Sequence, residues 1–519
     1  MPAFGGGGVP VGDIATMSDL VRQAAVAAGG RTALDAVAGR PRHSTGQRGA
    51  LTWAELDERV DATAAGLRAI GVAAGPAAVL QLDAGIDLTV AFLAAGRAGI
   101  VAVPVQQDLP VEQLAAVVTD TGAATLLTAN VLGVAAAADL GIRHLVVAGP
   151  TPADDGHTLA DVQRARARAG TGSAGGGHDP QASAAAVVFY TGKARGRPRG
   201  AVHTHAALLA AVEQAAGASL VGSGDVVLAA VPGFHPLGLV GAVGLAARAG
   251  ATVLLAAPED AADAPGMLTE RGVTVVIAVP PVLASWSRRS DADLASSFAT
   301  VRHAVSGGAP LDARRAARIT AVTTVPVHNG YGLAEGGPML TSTALSSEPG
   351  AAASLGYPLP GVDLELRDDG GGRVDDGDPG EVFIRAGSLF AGYAPGAAGG
   401  PRRDGWFGTG DLGYLDEAGR LRLVGRLQDR AVVRGFPVYP AEIEAVLTSH
   451  QAVAEASVVR VGEPPQLHAY AVLADRATAD VDDLVRWCAR SLAPFKRPAV
   501  VSIVERLPHT PTGKIRPGA

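Results

Sequence analysis

Between Ala185 and His205 the chain reads AAVVFYTGKARGRPRGAVHTH, and this stretch gathers the residues best suited to holding an anion. Ala185 to Tyr190 is an apolar run of strand length. Gly192, Gly196 and Gly200 let a backbone come close to a ligand, and Lys193, Arg195, Arg197 and Arg199 add four positive charges. The alanine-rich continuation predicts a helix directly after the loop, so that backbone N–H groups and cations would face a phosphate together. The spacing is not that of a Walker loop, because neither Gly192 nor Gly196 is followed at the required distance by glycine, lysine and Ser or Thr. Taken alone, the stretch reads equally as an exposed basic turn.

The elements around it set a frame. Leu51 to Val72 predicts a short strand, a turn and a helix with Leu56, Val60, Ala64 and Leu67 on one face, and Thr52 and Glu55 are spaced as a capping box. Strand and helix then alternate through Ala77 to Leu82, Leu88 to Ala98, Ile100 to Val105 and Ala123 to Val147. A second set of alternations runs from Val226 to His328. Apolar strands alternating with helices imply two mostly parallel, doubly wound sheets. From Gly350 short strands separated by Gly, Pro and Asp predict a small β-barrel or β-rich subdomain over about 350–425. After Gly425 an α+β module follows, with helices at Pro440 to Leu447 and Val481 to Ser491. The expected fold is therefore α/β, with a large N-terminal domain over 17–425 and a small, mobile C-terminal domain over 426–519. Residues 1–16, with four consecutive glycines, read as a disordered leader.

Composition narrows the function. At 519 residues the chain is too long for one core. A net charge of −7 and only 4% aromatic residues give no footprint for nucleic acid. Cys488 is the single cysteine, which excludes a disulfide framework or a cysteine metal cluster and makes the cytoplasm the default location. The longest uncharged run, Val226 to Ala247, is interrupted by Pro232, Gly233, Pro236 and Gly238, so no stable membrane insertion is expected.

The basic loop resembles the phosphate loop of the adenylate-forming (AMP-binding) superfamily, which includes acyl-CoA synthetases and coumarate-CoA ligases. That loop commonly reads Tyr-Thr-Ser-Gly-Thr-Thr-Gly-x-Pro-Lys-Gly. Tyr190, Thr191, Gly196, Pro198 and Gly200 match it, while Gly192, Lys193, Ala194 and Arg195 stand where Ser, Gly, Thr and Thr are usual. The resemblance extends from Leu51 to Arg516 and recurs in the family's order. It implies that Thr191, Arg195, Gly196 and Gly200 bind ATP, joined by Gly308 of Ser306 to Pro310 (SGGAP). In Asn329 to Pro338 (NGYGLAEGGP) it implies that Tyr331 stacks on adenine, that Gly332 lies beside it, and that Glu335 helps to hold magnesium. Ala334 replaces the usual Thr. Trp406 to Leu412 (WFGTGDL) and Gly425 to Asp429 (GRLQD) nominate Asp411 and Arg426 for the ribose, and a carboxylate can accept from two adjacent hydroxyls at once. Gln428 falls at the family's hinge position. Pro508 to Arg516 (PHTPTGKIR) nominates Lys514 as the catalytic lysine, a compact charge that a mobile loop can carry to the reacting groups.

For the acid, the resemblance places His235 of Val231 to Gly238 (VPGFHPLG) at the pocket entrance, with Gly332, Gly337 and Pro338 along an apolar wall. His235 reads equally as a satisfied core histidine. The implied chemistry is activation of a carboxylic acid by ATP and magnesium to an acyl-adenylate, followed by transfer to coenzyme A. Transfer to an acyl carrier protein is an alternative, since Val432 stands where the family commonly has a lysine associated with the second half-reaction. The replaced hydroxyls also leave open a member that has lost or narrowed catalysis and acts as a binding or regulatory protein.

Overall fold

The computed structural model describes residues 14–37, 49–149, 156–169, 181–192, 198–346, 353–375, 377–396, 399–433, 436–462, 465–474, 477–510 and 513–515. The basic residues Lys193, Arg195 and Arg197 and the glycine Gly196 lie outside them, as do Thr512 and most of the Gly170 to Gln181 linker.

Two large sheets form the body. In the first, the parallel strands Ala185–Tyr190, Val101–Pro104, Ala77–Gln81, Thr125–Thr128, His144–Val147 and His157–Thr158 lie side by side in that order. The second has a parallel centre ordered Val327–Leu333, His303–Ser306, Val275–Ala278, Val226–Ala230, Thr252–Ala256 and Thr32–Ala36. Antiparallel strands close both ends of this second sheet, Gly337–Ser342 followed by Tyr357–Pro358 at one and Leu51–Thr52 at the other. Strands covered on both faces must be apolar on both, which is why these runs do not alternate. Within Ala77–Gln81, Ala78 and Leu80 enter the main core, and Ala77 and Val79 enter a second one with Leu114, Val117 and Leu126. The helix Trp53–Ala69 buries Leu56, Val60, Ala64 and Leu67 as the periodicity requires, and its capping box joins Thr52 to Glu55.

Three expectations need correction. The basic loop does not lead into a helix. It joins Ala185–Tyr190 to an antiparallel strand, Gly200–Thr204, and only then does the helix His205–Ala216 begin. The loop thus joins the two strands of a hairpin, and the second of these strands is paired on its other side with Gly392–Ala394. Leu237–Gly244 is a π-helix rather than an ordinary one. Such turns are rare and concentrate at functional sites. Nor does the leader expected over 1–16 hold at its end. Thr16 is buried and caps the helix Met17–Ala28 in a box with Asp19, while 1–13 lie outside the described residues. The β-rich subdomain expected over about 350–425 takes the form of an open four-stranded antiparallel sheet, ordered Val362–Arg367, Gly380–Ala386, Phe407–Leu415 and Leu421–Arg426.

After the single turn Leu427–Asp429 the chain builds a small module with its own core. Strands Val453–Val461, Gln466–Leu473 and Val500–Ile503 carry the helices Pro440–Ser449 and Val481–Ser491, and Ile443, Leu447, Val458, Leu484 and Cys488 meet between them. Among the described residues no helix is long and apolar enough to cross a membrane.

Candidate active site

Asp411 is the centre of the site. It stands on Phe407–Leu415 directly across from Arg426 on Leu421–Arg426, so hairpin register alone brings the pair together. Arg426 Nε donates to Asp411 Oδ1 at 2.8 Å, and the Tyr331 hydroxyl donates to Asp411 Oδ2 at 2.6 Å. The carboxylate is almost fully buried, yet each oxygen keeps a lone pair for a further hydroxyl. Its backbone N–H donates to Thr409 Oγ1 at 3.0 Å, which fixes the turn. Burial, then the Asp411 charge, pushes the Tyr331 phenol well above its ordinary range, so it remains a donor.

Lys514 reaches this group from the other end of the chain. The segment His509 to Ile515 folds back on itself as a tight hairpin: Thr510 N–H donates to Lys514 O at 2.8 Å, and Lys514 N–H donates to Thr510 Oγ1 at 3.0 Å. Gly513, at φ +84°, makes the turn and packs so closely on Pro281 that a Cβ would lie 2.4 Å from its ring. The small module is therefore docked on the body. Burial first, and then Arg426, lowers the Lys514 ammonium below the ordinary lysine value, while Asp411 and Glu335 oppose that shift. His235 feels Lys514 as well. Burial, then the Lys514 charge, holds its ring down to about 4. Its Nδ1 accepts from Leu237 N–H at 3.2 Å, so the neutral ring carries its proton on Nε2.

Glu335 occupies the turn between Val327–Leu333 and Gly337–Ser342. Tyr393 OH donates to Glu335 Oε1 at 2.6 Å, and Phe390 N–H donates to the Glu335 carbonyl at 2.9 Å. Among the described residues no cluster of three or more His, Cys, Asp or Glu forms a metal cage. A magnesium ion suits this arrangement all the same, since it is commonly bound by one or two carboxylates plus phosphate oxygens.

Residues 21–394 match the AMP-binding enzyme family, and residues 442–514 match the AMP-binding enzyme C-terminal domain. The chain belongs to the AMP-binding enzyme family. It is 32% identical over 483 residues to a feruloyl-CoA synthase from Amycolatopsis, covering 90% of this chain and 93% of that one. It is 32% identical over 356 residues to the fatty acid–[acyl-carrier-protein] ligase ScoC of Streptomyces coeruleorubidus, covering 65% and 67%. The ATP-bound structure of MatB from Rhodopseudomonas palustris superposes with a TM-score of 0.83 at 27% identity, covering 96% of this chain and 97% of that one.

Thr191 sits at the stem of the phosphate loop, where its N–H donates to Arg199 O at 2.9 Å and its Oγ1 accepts from Arg199 N–H at 3.1 Å. Gly200 answers to packing, since a Cβ there would lie 2.6 Å from Val188. Gly308 takes φ +86° at the end of His303–Ser306. Gly332 lies where a Cβ would come within 2.4 Å of the Pro338 carbonyl. Gly337, at φ +95°, turns the chain toward Pro338. Pro338 in turn lines an apolar cavity with Leu237, Gly241, Val305 and Met339. Gln428 is exposed in the turn between body and module. Residues 193–197, with Arg195 and Gly196, lie outside the described part.

The sequence reading missed three residues of this site. Tyr393 holds Glu335. His203, buried on the unforeseen strand Gly200–Thr204, donates from Nε2 to Ala334 O at 2.6 Å and pins the same turn. Pro281, at the start of the helix Pro280–Trp286, is the stop for the lysine hairpin. No local pattern marks any of the three, since each is defined by a partner far away in the chain.

Proposed function

We propose that this chain is an AMP-forming acid–thiol ligase that activates a carboxylic acid with ATP and passes the acyl group to coenzyme A. The observation that carries the reading is the convergence of Lys514, Asp411, Arg426, Tyr331, Glu335 and His235 on one cleft between body and module. Asp411 and Arg426 would hold the ribose, and Tyr331 the adenine. A magnesium ion on Glu335 would supply charge neutralisation for the departing pyrophosphate. One carboxylate oxygen of the acid attacks the α-phosphorus of ATP, the bond to the bridging oxygen breaks, and pyrophosphate leaves with that electron pair. Lys514, brought beside the reacting oxygens, stabilises charge that builds up there. Rotation about Gln428 then withdraws Lys514 and admits the thiol. Its sulfur attacks the acyl carbon, AMP leaves as the anion, and the thiol proton passes to solvent. Catalysis of this kind rests on positioning and charge rather than on a protein nucleophile.

The wall formed by Leu237, Gly241, Pro338 and Met339 suits an acid with an apolar body. A second reading keeps the adenylation and changes the acceptor to an acyl carrier protein. Val432 favours it, because this residue is 53% exposed and brings no charge where the family commonly has a lysine. Exchange of labelled pyrophosphate into ATP across a panel of carboxylic acids tests adenylation. Absence of exchange together with absence of ATP binding by calorimetry would overturn it in favour of a binding protein. Coenzyme A consumption separates the two acceptors.

A further inference from the structure

We propose that Tyr393, braced by Arg199, is the positioning residue that presents the Glu335 carboxylate to a divalent cation. This inference rests on the reading of the cleft as an ATP site. Tyr393 lies on Gly392–Ala394, a strand that pairs with Gly200–Thr204 through Tyr393 opposite Ala201 and Ala394 opposite Gly200. Its backbone is thus laid along the strand that returns from the phosphate loop, while its side chain reaches Glu335, which belongs to the other large sheet.

The contacts leave the phenol little freedom. The Arg199 guanidinium lies 3.4 Å from the ring centroid, close enough for a strong cation–π contact. The Phe390 ring meets it edge-on at 4.7 Å. Between these the hydroxyl donates to Glu335 Oε1 at 2.6 Å. A phenol has a single proton to give, so it fixes one carboxylate oxygen and leaves Oε2 to bind elsewhere. The same segment holds the glutamate's backbone, because Phe390 N–H donates to Glu335 O at 2.9 Å and the Ser388 hydroxyl donates to Gly336 O at 2.7 Å.

This arrangement suits a cation that bridges protein and phosphate. A magnesium or manganese ion held by one protein carboxylate needs that oxygen pre-aimed, since the remaining ligands come from the nucleotide and water. Arg199 ties the aim to the phosphate loop. Its own backbone closes the loop stem through Thr191, and its guanidinium braces the tyrosine. The loop stem at Thr191 and Arg199, the tyrosine and the glutamate are then parts of one packed unit.

The test uses the full chain and Mn2+ with an ATP analogue that cannot be cleaved, read by electron paramagnetic resonance. Tyr393→Phe keeps the ring and removes the proton donor. It should weaken Mn2+ binding about tenfold, the loss of one hydrogen bond to a charged group, with analogue affinity in the absence of metal unchanged. Arg199→Met keeps the hydroxyl and removes the brace. It should weaken Mn2+ by about threefold, and it carries the test if Tyr393→Phe does not fold. Wild-type Mn2+ affinity in both variants, alongside loss in Glu335→Gln, would overturn the inference and leave Tyr393 as packing. Unchanged affinity in Glu335→Gln as well would overturn it together with the metal role of Glu335. Pyrophosphate exchange by the wild-type chain, measured separately, decides the ATP-site reading on its own.

Discussion

Glu444 gives a prediction whose size can be worked from the structure. It stands on the helix Pro440–Ser449, where its Oε1 accepts from Val458 N–H at 2.8 Å. Burial drives its carboxyl up to about 7. The bond from Val458 pulls down, and the Asp429 charge pushes up again. Against an ordinary value of 4.5 the displacement is 7 − 4.5 = 2.5 pH units, which at about 1.36 kcal/mol per unit is an upper bound of roughly 3 kcal/mol. A carboxyl whose folded pKa is raised binds its proton more tightly in the native state. Its contribution is full below about 4.5, falls as pH rises through 7, and is gone above. Glu444→Gln retains a carbonyl to accept from Val458 and cannot ionise. At pH 5 the variant should lead the parent by less than about 1 kcal/mol. At pH 8 the variant should be more stable by about 2 to 3 kcal/mol, or about 5 °C or more in the melting of the small module. Calorimetric scans of the full chain at the two pH values measure this. A difference that does not change between pH 5 and pH 8, or a variant less stable at pH 8, would refute the reasoning. The position matters because Asp429 adjoins Gln428, so an ionised Glu444 adds a like charge beside the proposed pivot.

Three further outcomes are expected. Lys514→Ala should slow pyrophosphate exchange about 10²- to 10³-fold with little change in ATP binding by calorimetry. In the parent chain the alkaline loss of exchange should begin below the ordinary lysine value of 10.5, and a limb at or above it would count against the assignment. Asp411→Asn should raise the KM for ATP about tenfold to a hundredfold, because the amide cannot accept charge-assisted bonds at both oxygens. An unchanged KM would move the ribose elsewhere. Gly513→Ala places a Cβ 2.4 Å from Pro281 at φ +84°, which should undock the lysine hairpin. Pyrophosphate exchange should drop sharply while coenzyme A still consumes synthetic acyl-adenylate, and equal loss of both steps would refute the docking argument.

What could be read in advance follows the range of the forces involved. The helices Trp53–Ala69 and Val481–Ser491 and the strand Ala185–Tyr190 are written in local periodicity, and Thr52 and Glu55 mark a cap within one turn. Asp411 and Arg426 stand fifteen residues apart (426 − 411) across a hairpin, so their pairing is nearly local too. The strand Gly200–Thr204 escaped because its alternation is short and runs into an alanine-rich helix, while its outer partner lies near residue 393. The π-helix had a hint in Gly238, Gly241 and Gly244, whose spacing lets one face pack tightly. Tyr393 and Glu335 are fifty-eight residues apart (393 − 335), and only the meeting of two sheets joins them. Tertiary contacts of that reach leave no periodic trace in the chain.

Cys488 is the chain's one thiol, and it is sealed in the module's core at 1% exposure. Burial raises its pKa, so little of the reactive thiolate forms near neutrality. Engineered cysteines on the two bodies would therefore take up maleimide dyes almost without background. Energy transfer between such dyes would reveal whether the module makes the proposed swing during a catalytic cycle of the otherwise native protein.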